Sequence, residues 1–292
     1  MIAVSGSAPM SVEREMEMSR TLLASFAHPD DESFGPGGTL ATYARQGVAV
    51  HLITATRGEA GESDLEDLGA CEDLACRREQ ELRCAAAALG LAEVHLLGYR
   101  DSGMAGSPAN QHPQALAQAD SHILSAQVAE VMRRLRPQVV VTFDPYGVYG
   151  HPDHIAMHRA TVMAFEQLAP PERPFKLYYV APARLFSRWM VRVMPLFGID
   201  PEAVGKNHDI NLRAAVQHQL PVTTRIDIRQ AYDARLAAAA CHSSQMSGHG
   251  SMWGRLPRWL MRQLQAQETF YRAQPPFSPD ERPERDLFAG VS

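Results

Sequence analysis

Short β-rich apolar runs alternate with longer helix-like segments along most of this chain. The first half predicts strands over 21–27, 48–56, 94–99 and 138–144, and helices near 36–46, 73–89 and 121–136. The last of these helices carries apolar residues on a 3.6-residue period, namely Ile123, Leu124, Val128, Val131, Met132 and Leu135. Such alternation predicts a three-layer α/β/α, Rossmann-like fold with a mostly parallel sheet and helices on both faces.

The second half repeats this alternation more loosely. It predicts a helix over 154–168, strands over 176–181 and 223–228, and a helix from 230 to about 242. Residues 1–20 lack the basic and apolar regions of a signal peptide and are interpreted as a disordered extension. Residues 275–292 are rich in proline and charge, which indicates an irregular tail. We therefore expect a single domain over residues 21–274.

Composition restricts the partners. The net charge is -5 and no Lys/Arg block is present, which argues against a general nucleic-acid binder. Small or neutral partners therefore fit better, and a small-molecule substrate is expected. No run reaches the roughly 18 apolar residues of a transmembrane helix, so no membrane span is expected. A homo-oligomer is compatible with the sequence. The cysteines, Cys71, Cys76, Cys84 and Cys241, lack C-x-x-C spacing. We expect reduced thiols and hence a cytoplasmic protein.

One histidine and three consecutive acids follow the first predicted strand, in 27-AHPDDE-32. Neighbouring acids are costly unless something cationic offsets them. His28 and Asp31 are separated by two residues, so a turn leaving the strand can direct both side chains at one point. Such a pair, completed by a distant histidine, is typical of a zinc or other divalent-metal site with a position left for water. Asp30 would then be free to act as a base, and Glu32 would orient a ligand or hold the turn.

A second His/Asp-rich loop, 144-DPYGVYGHPDHIAMH-158, follows the fourth predicted strand. In a doubly wound sheet the first and fourth strands are neighbours, and ligands bind at their carboxyl ends. The two loops should therefore converge. His154 and His158 could share one helix face as two ligands, whereas His151 and His154 could divide into a ligand and a proton donor. Spacing alone leaves this choice open.

Together, AHPDDE (27–32) and GHPDH (150–154) resemble the signature of the LmbE-like or PIG-L family of zinc-dependent N-deacetylases. The resemblance runs from about Leu22 to about Gln245 and depends on both motifs. That family acts on N-acetylglucosaminyl conjugates of inositol, malate or phosphatidylinositol. The resemblance implies a hydrolase that uses one Zn²⁺ per chain, or another divalent metal such as Fe²⁺. Its substrate would be an acetamido sugar of the GlcNAc-inositol or GlcNAc-malate type.

The resemblance also implies roles for individual residues. The implied metal ligands are His28, Asp31 and His154. The implied catalytic residues are Asp30 as general base, His151 as the group that polarises or protonates the reacting atoms, and Tyr149 as a residue that helps to hold the oxyanion. The implied substrate-binding residues are Arg78 in 77-RREQEL-82, Asp101 in 99-YRDSGMAGS-107 and His242 in 241-CHSSQ-245.

Other functions fit part of this pattern. A thiol-conjugate amidase of the same family would use the same zinc-water chemistry, and a sugar-binding module would need no base. A metallophosphoesterase usually needs two metals and more carboxylates than these loops supply. The glycines of 35-GPGG-38 could cradle a phosphate at a helix N-terminus, but close packing of the turn explains them more simply.

Two aromatic and basic segments, 184–197 and 253–264, stand apart from these motifs. In the first, Arg184, Arg188 and Arg192 recur every four residues beside apolar side chains, which makes a basic amphipathic stripe. The simpler interpretation is a helix packed on the body of the protein or on another subunit. The alternative is a lid that covers the substrate or touches a membrane.

Overall fold

A seven-stranded sheet forms the centre of the protein. The computed structural model describes residues 20–61, 63, 68–182, 184–205, 208–246 and 257–291, so the predicted extension before Arg20 lies outside the described part of the chain. The strands are β1 (Thr21–Phe26), β2 (Ala49–Thr56), β3 (Glu93–Tyr99), β4 (Val139–Thr142), β5 (Lys176–Val180), β6 (Thr224–Asp227) and β7 (Gln267–Gln274). Their spatial order is β3-β2-β1-β4-β5-β7-β6.

Ten helices surround this sheet in the described ranges. They are α1 (Asp31–Phe34), α2 (Gly37–Arg45), α3 (Leu74–Leu89), α4 (Ser121–Leu135), α5 (Gly147–Gly150), α6 (Pro152–Gln167), α7 (Arg184–Val193), α8 (Leu212–His218), α9 (Tyr232–Cys241) and α10 (Arg258–Leu264). Short 3-10 helices occupy Pro108–Gln111, Leu116–Gln118 and Met194–Phe197. None of the helices in the described ranges is long and apolar enough to cross a membrane.

The predicted fold class is confirmed. The strand β1 pairs in parallel with both β2 and β4, so the chain reverses its strand order between β1 and β4 as expected. All six residues of β1 are buried, because helices cover both faces of this central strand. Helix ends follow local signals: the Asp73 carboxylate accepts the Cys76 amide at the start of α3, and Gly90 ends that helix in the left-handed conformation.

The last strand, β7, was not predicted. It lies between β5 and β6 and is antiparallel to both, so the sheet is mostly rather than wholly parallel. Beyond it, residues 275–291 contain no regular helix or strand, yet Leu287 and Phe288 are buried in the main core. Glu284 fixes this segment, since its carboxylate accepts hydrogen bonds from Lys176 and Tyr178, both at 2.7 Å.

The glycine-rich turn before α2 is closely packed. A Cβ atom at Gly38 would lie 2.6 Å from Cδ1 of Ile228, so a larger residue does not fit. The amides of Gly38 and Thr39 donate to the Glu268 carboxylate at 2.9 and 2.7 Å. Because a carboxylate of β7 already accepts from the helix N-terminus, the close-packing interpretation of these glycines holds and a phosphate cradle does not.

The prediction of four reduced thiols is wrong. Disulfide bonds join Cys71 to Cys76 and Cys84 to Cys241. Cys84 lies on α3 and Cys241 ends α9, and these two helices pack side by side, which brings the two Cα atoms within 5.8 Å. Sequence spacing could not reveal this pair, because its members are 157 residues apart.

These disulfides should differ in their contribution to stability. In a chain-entropy treatment a cross-link separated by 157 residues lowers the entropy of the unfolded chain far more than one separated by 5. Replacing Cys84 and Cys241 by serine is expected to lower the free energy of unfolding by about 4–5 kcal/mol. The matched change at Cys71 and Cys76 should cost about 2 kcal/mol. Denaturant unfolding of both double variants without reductant measures the difference, and equal losses would contradict the prediction.

A candidate active site with a metal centre

Two loops meet at the carboxyl ends of β1 and β4. His28 follows β1, and Asp31 begins α1 three residues later, while His151 and His154 open α6 after β4. His28 and His154 are buried, with 6 % and 2 % of their surface exposed. The predicted convergence of the two loops is therefore observed, and Nδ1 of His28 lies 3.2 Å from Nε2 of His154.

Hydrogen bonds assign the tautomers of both histidines. Nε2 of His28 lies 3.1 Å from Oδ2 of Asp153, so Nε2 carries the proton and Nδ1 keeps its lone pair. Nδ1 of His154 faces the carbonyl oxygen of Gly147 at 3.2 Å, which leaves the lone pair on Nε2. In these tautomers Nδ1 of His28 and Nε2 of His154, which lie 3.2 Å apart, are the two ring nitrogens available to a metal.

The Asp31 carboxylate completes this arrangement. Its Oδ1 lies 3.3 Å from Nε2 of His154, and its Oδ2 lies 3.6 Å from Nδ1 of His28. Burial opposes ionisation, but His154 and His28 hold the pKa of the Asp31 carboxyl well below its usual value. Four-coordinate zinc with bonds of about 2.0–2.1 Å separates its ligands by roughly 3.3 Å. These three side chains therefore fit a divalent metal in both spacing and donor type.

Two further carboxylates orient His28 from behind. The Asp153 side chain is completely buried, and its Oδ2 accepts from His28 and from the Ser102 amide at 2.9 Å. Oδ1 of Asp101 lies 3.4 Å from the same His28 nitrogen and accepts the Gly103 amide at 2.8 Å. Acidic partners of this kind fix the ring and make it a stronger ligand. The sequence did not single out Asp153, although its place between two histidines in HPDH was a usable signal.

Asp30 is the most exposed carboxylate of this group. Its side chain is 20 % exposed, against 11 % for Asp31 and 4 % for Asp101. Burial raises the pKa of Asp30 to about 7, with a further contribution from Asp31 and against the lowering effect of Arg78. One carboxylate next to the candidate ligands is therefore able to reach a water molecule or a ligand.

Arg78 holds Asp30 rather than facing the solvent. This arginine is 3 % exposed, and its Nη2 donates to Oδ2 of Asp30 at 3.0 Å and to the carbonyl oxygen of Pro29 at 2.7 Å. Its Nη1 donates to the carbonyl oxygen of Gly58 at 2.9 Å. A role of Arg78 in substrate binding stays a prediction, whereas its hydrogen bond to Asp30 is observed in the structure.

Gly58 leaves the space that Arg78 occupies. A Cβ atom there would lie 2.2 Å from Nη1 of Arg78, and the residue has a φ of +71°. Gly58→Ala should displace the guanidinium, lower stability by about 1–3 kcal/mol and lower kcat by about tenfold or more. Gly98→Ala is the matched control, because φ is +82° and nothing lies within 4 Å of the added atom. Thermal unfolding and turnover of both variants test this, and equal activities would contradict it.

His151 begins α6 as its N-cap. Its Nδ1 accepts the Asp153 amide at 3.2 Å, so the neutral ring carries its proton on Nε2. Burial, together with His28 and His154, lowers the pKa of His151 to about 2. Its ring centroid lies 4.6 Å from that of His28 and 5.0 Å from that of His154. His151 also forms, with His28 and His154, a group whose ring nitrogens lie within 4.8 Å of one another and could hold a metal. The residue is therefore at the candidate site, either as a ligand or as a neutral hydrogen-bond donor.

Tyr149 lies against the same histidines. Its ring centroid is 5.1 Å from that of His154 and 6.0 Å from that of His151. Burial raises the pKa of the Tyr149 hydroxyl well above its usual value, so the group keeps its proton and can donate. The structure thus brings all three predicted catalytic residues to one place.

His242 is completely buried and lies under the first loop. Its Nε2 lies 2.7 Å from Oε1 of Glu32, which is also completely buried. Glu32 in turn accepts the Asp30 amide at 3.0 Å. Sequence reasoning placed Glu32 in the turn, but its pairing with a residue 210 positions later could not be read from local sequence.

The other histidine clusters do not extend the site. Nδ1 of His158 faces the carbonyl oxygen of Phe143 at 2.8 Å, so this residue serves the fold. On β2 and β3, His51 and His95 flank Glu93 and could together hold a metal. However, Nη2 of Arg134 lies 2.9 Å from Nδ1 of His95, so this cluster already contains a cation.

The fold and site have counterparts in known proteins. The model of the GlcNAc-PI de-N-acetylase (PIG-L) family matches residues 23–165, which include both histidine loops. A 1D-myo-inositol 2-acetamido-2-deoxy-alpha-D-glucopyranoside deacetylase from Acidothermus cellulolyticus is 39 % identical over 94 % of this chain and 96 % of that protein. A deacetylase of the same name from Thermobifida fusca is 36 % identical over 92 % of this chain and 99 % of that protein.

Solved structures share the architecture. A conserved protein from Thermus thermophilus is 25 % identical, with a TM-score of 0.55 over 91 % of this chain and 100 % of that one. The N,N'-diacetylchitobiose deacetylase from Pyrococcus horikoshii has a TM-score of 0.53 over 90 % of this chain and 87 % of that chain, at 19 % identity. At this sequence identity, the similarity to the Pyrococcus horikoshii enzyme indicates a shared fold and nothing more.

Proposed function

This chain belongs to the PIG-L family of GlcNAc-PI de-N-acetylases, and from that premise we propose that it removes the acetyl group from an N-acetylglucosaminyl-inositol conjugate. One observation carries the proposal. Possible metal-ligand atoms on His28, Asp31 and His154 lie together, and the neighbouring Asp30 carboxylate is not one of these ligands. A hydrolytic metal site needs both parts.

We assign the metal to His28, Asp31 and His154, and we propose zinc, with ferrous iron as the alternative. The donor set of two imidazoles and one carboxylate suits either ion. When bound there, such an ion supplies a Lewis acid that acidifies water and polarises a carbonyl. Asp153 and Asp101 hold His28 in the ligating tautomer.

Asp30 is the proposed general base. It accepts a proton from the water that attacks the acetyl carbon, and Arg78 fixes the direction of its carboxylate through the 3.0 Å hydrogen bond. The attack produces a tetrahedral oxyanion, to which Nε2–H of His151 and the hydroxyl of Tyr149 donate. One such donor is typically worth about 3–4 kcal/mol. The C–N bond then breaks, and the amine leaves with a proton from Asp30 while acetate is released.

The substrate proposal rests on the inositol glycoside deacetylases described above, which align with almost the whole chain. The thiol-conjugate amidase remains the second candidate, because hydrolysis of its amide would use the same residues. A sugar-binding module is disfavoured, since binding alone needs neither Asp30 nor a set of oxyanion donors. We also propose a cytoplasmic location, although the two disulfides remove the thiol argument that first suggested it.

A free-amine release assay tests the function. The zinc-loaded protein is offered the N-acetylglucosaminyl glycosides of inositol and of malate, together with an N-acylated thiol conjugate. Turnover of the inositol glycoside with release of one acetate per amine supports the proposal. Turnover of the thiol conjugate alone would assign the amidase. Metal binding without turnover of any compound would contradict the deacetylase.

A further inference from the structure

The backbone of Asp30 is held in a conformation that aspartate rarely adopts. Its φ is 126° and its ψ is -28°, outside the regions favoured by residues with a side chain. Such strain costs of order 1–3 kcal/mol and persists only where the surroundings impose it. Some part of the protein must therefore fix this residue.

The Asp30 carbonyl oxygen accepts the amides of Ser33 and Phe34, both at 2.9 Å. Glu32 makes the side-chain contact that holds the Asp30 amide. Oε2 of its carboxylate accepts a hydrogen bond of 3.0 Å from the amide of Asp30, the strained residue. Its Oε1 accepts from the Ser33 hydroxyl at 2.6 Å and lies 2.7 Å from Nε2 of His242. Because both Glu32 and His242 are completely buried, water cannot replace either partner.

The residues after His242 are anchored to α3. The Glu81 carboxylate accepts the Ser244 amide at 2.9 Å, the Ser244 hydroxyl at 2.6 Å and the Ser243 hydroxyl at 3.0 Å. On the other side, Cys241 is bonded to Cys84 of the same helix. His242 is thereby attached to α3 immediately before and after its own position.

Helix α3 also provides Arg78, which holds the Asp30 side chain. The backbone and the side chain of Asp30 are thus attached to one helix by separate routes. We propose that the Glu32–His242 pair is a positioning element, which holds the Asp30 backbone so that its carboxylate points at the reacting water. This inference rests on the proposed function only for the identity of the reaction, because the contacts belong to the fold.

This assignment differs from the one expected from the sequence. His242 was expected to bind substrate, but none of its surface is exposed, so its influence on the reaction must pass through Glu32 and Asp30. A positioning role predicts a loss in kcat with little change in KM, whereas a substrate contact predicts a rise in KM.

Kinetics of three variants test the proposal. His242→Ala should lower kcat by about 10- to 100-fold, with KM and metal content close to wild type. His242→Gln places an amide donor toward Glu32 and should recover turnover to within about threefold of wild type. His95→Gln is the matched control, since His95 is a largely buried histidine 3.5 Å from Glu93 near the amino end of β3. It should leave both constants unchanged.

Hydrogen exchange at the Asp30 amide provides a readout independent of turnover. In the wild type this amide is bonded to the buried Glu32 and should exchange slowly. His242→Ala should accelerate its exchange by about tenfold or more, while His242→Gln and His95→Gln should not. If the wild type turns over no substrate but the exchange rates of the variants follow this pattern, the proposed deacetylase function is wrong and the proposed positioning role of the Glu32–His242 pair is supported.

The opposite results would overturn the inference. An Asp30 amide that stays protected in His242→Ala, together with unchanged kcat, would mean that the pair does not position the base. A raised KM with unchanged kcat would return His242 to substrate binding. A kcat loss that His242→Gln does not recover, with a comparable loss in His95→Gln, would identify a general loss of stability.

Discussion

Asp30→Asn is expected to lower kcat by about 100- to 10,000-fold while the protein keeps its metal. Asparagine has nearly the same size, accepts the hydrogen bond from Arg78 and tolerates a positive φ as well as aspartate does. It cannot, however, take a proton from water. Because Asp30 contributes no atom to the proposed ligand set, metal content should be unaffected.

Asp31→Asn provides the comparison for this experiment. It removes a charge one residue away, but Asp31 is a proposed ligand, so this variant should bind the metal more weakly. Parallel measurement of turnover and of metal content separates the two roles. If Asp30→Asn keeps its metal and most of its turnover, the general base is another residue.

His28→Ala and His154→Ala should each lose bound metal and, with it, all measurable deacetylation. Each change removes one of the three proposed protein ligands, and the two ligands that remain should hold the metal too weakly to retain it. A metal that binds the folded protein more tightly than the unfolded chain stabilises the fold, so the midpoint of thermal unfolding should also stop responding to added zinc in these variants. Elemental analysis after dialysis and unfolding with and without zinc measure both effects.

His158→Ala is the matched control for the ligand variants. It lies one helical turn beyond His154 on α6 and faces the Phe143 carbonyl oxygen, so it should retain the metal. Full metal content in both His28→Ala and His154→Ala would show that the ligand assignment is wrong. Loss of the metal in His158→Ala as well would indicate general damage to α6.

The central part of the fold could be predicted because its signals are local. The strands β1 to β6 and the helices α2, α3, α4, α6 and α9 lie within a few residues of their predicted positions, since apolar periodicity and capping residues are encoded in short windows. The strand β7 carries only Phe270 and Tyr271 as large apolar residues. It exists through pairing with β5, about 90 residues earlier, and no local pattern contains that information.

One part of the candidate site could likewise be predicted from the sequence, and another part could not. The convergence of His28 and His154 followed from the expected strand order, which places the carboxyl ends of β1 and β4 together. The contacts of Asp153 with His28 and of His242 with Glu32 join residues 125 and 210 positions apart. The sequence assigned roles to His28 and His242 but did not reveal these pairings, because the partner of each residue is too distant along the chain to appear in a local pattern.

The contact of Glu268 with the turn before α2 bears on the order in which the chain can fold during synthesis. Glu268 accepts the amides of Gly38 and Thr39, which leave the ribosome about 230 residues earlier. The turn just after the first histidine loop therefore stays without this partner until Glu268 has been made. Because β7 also separates β5 from β6, a nascent chain that ends before it lacks a complete sheet as well. The residues of the candidate reaction centre lie mostly among the first 154, yet the turn beside them gains its partner only after Glu268 has been made.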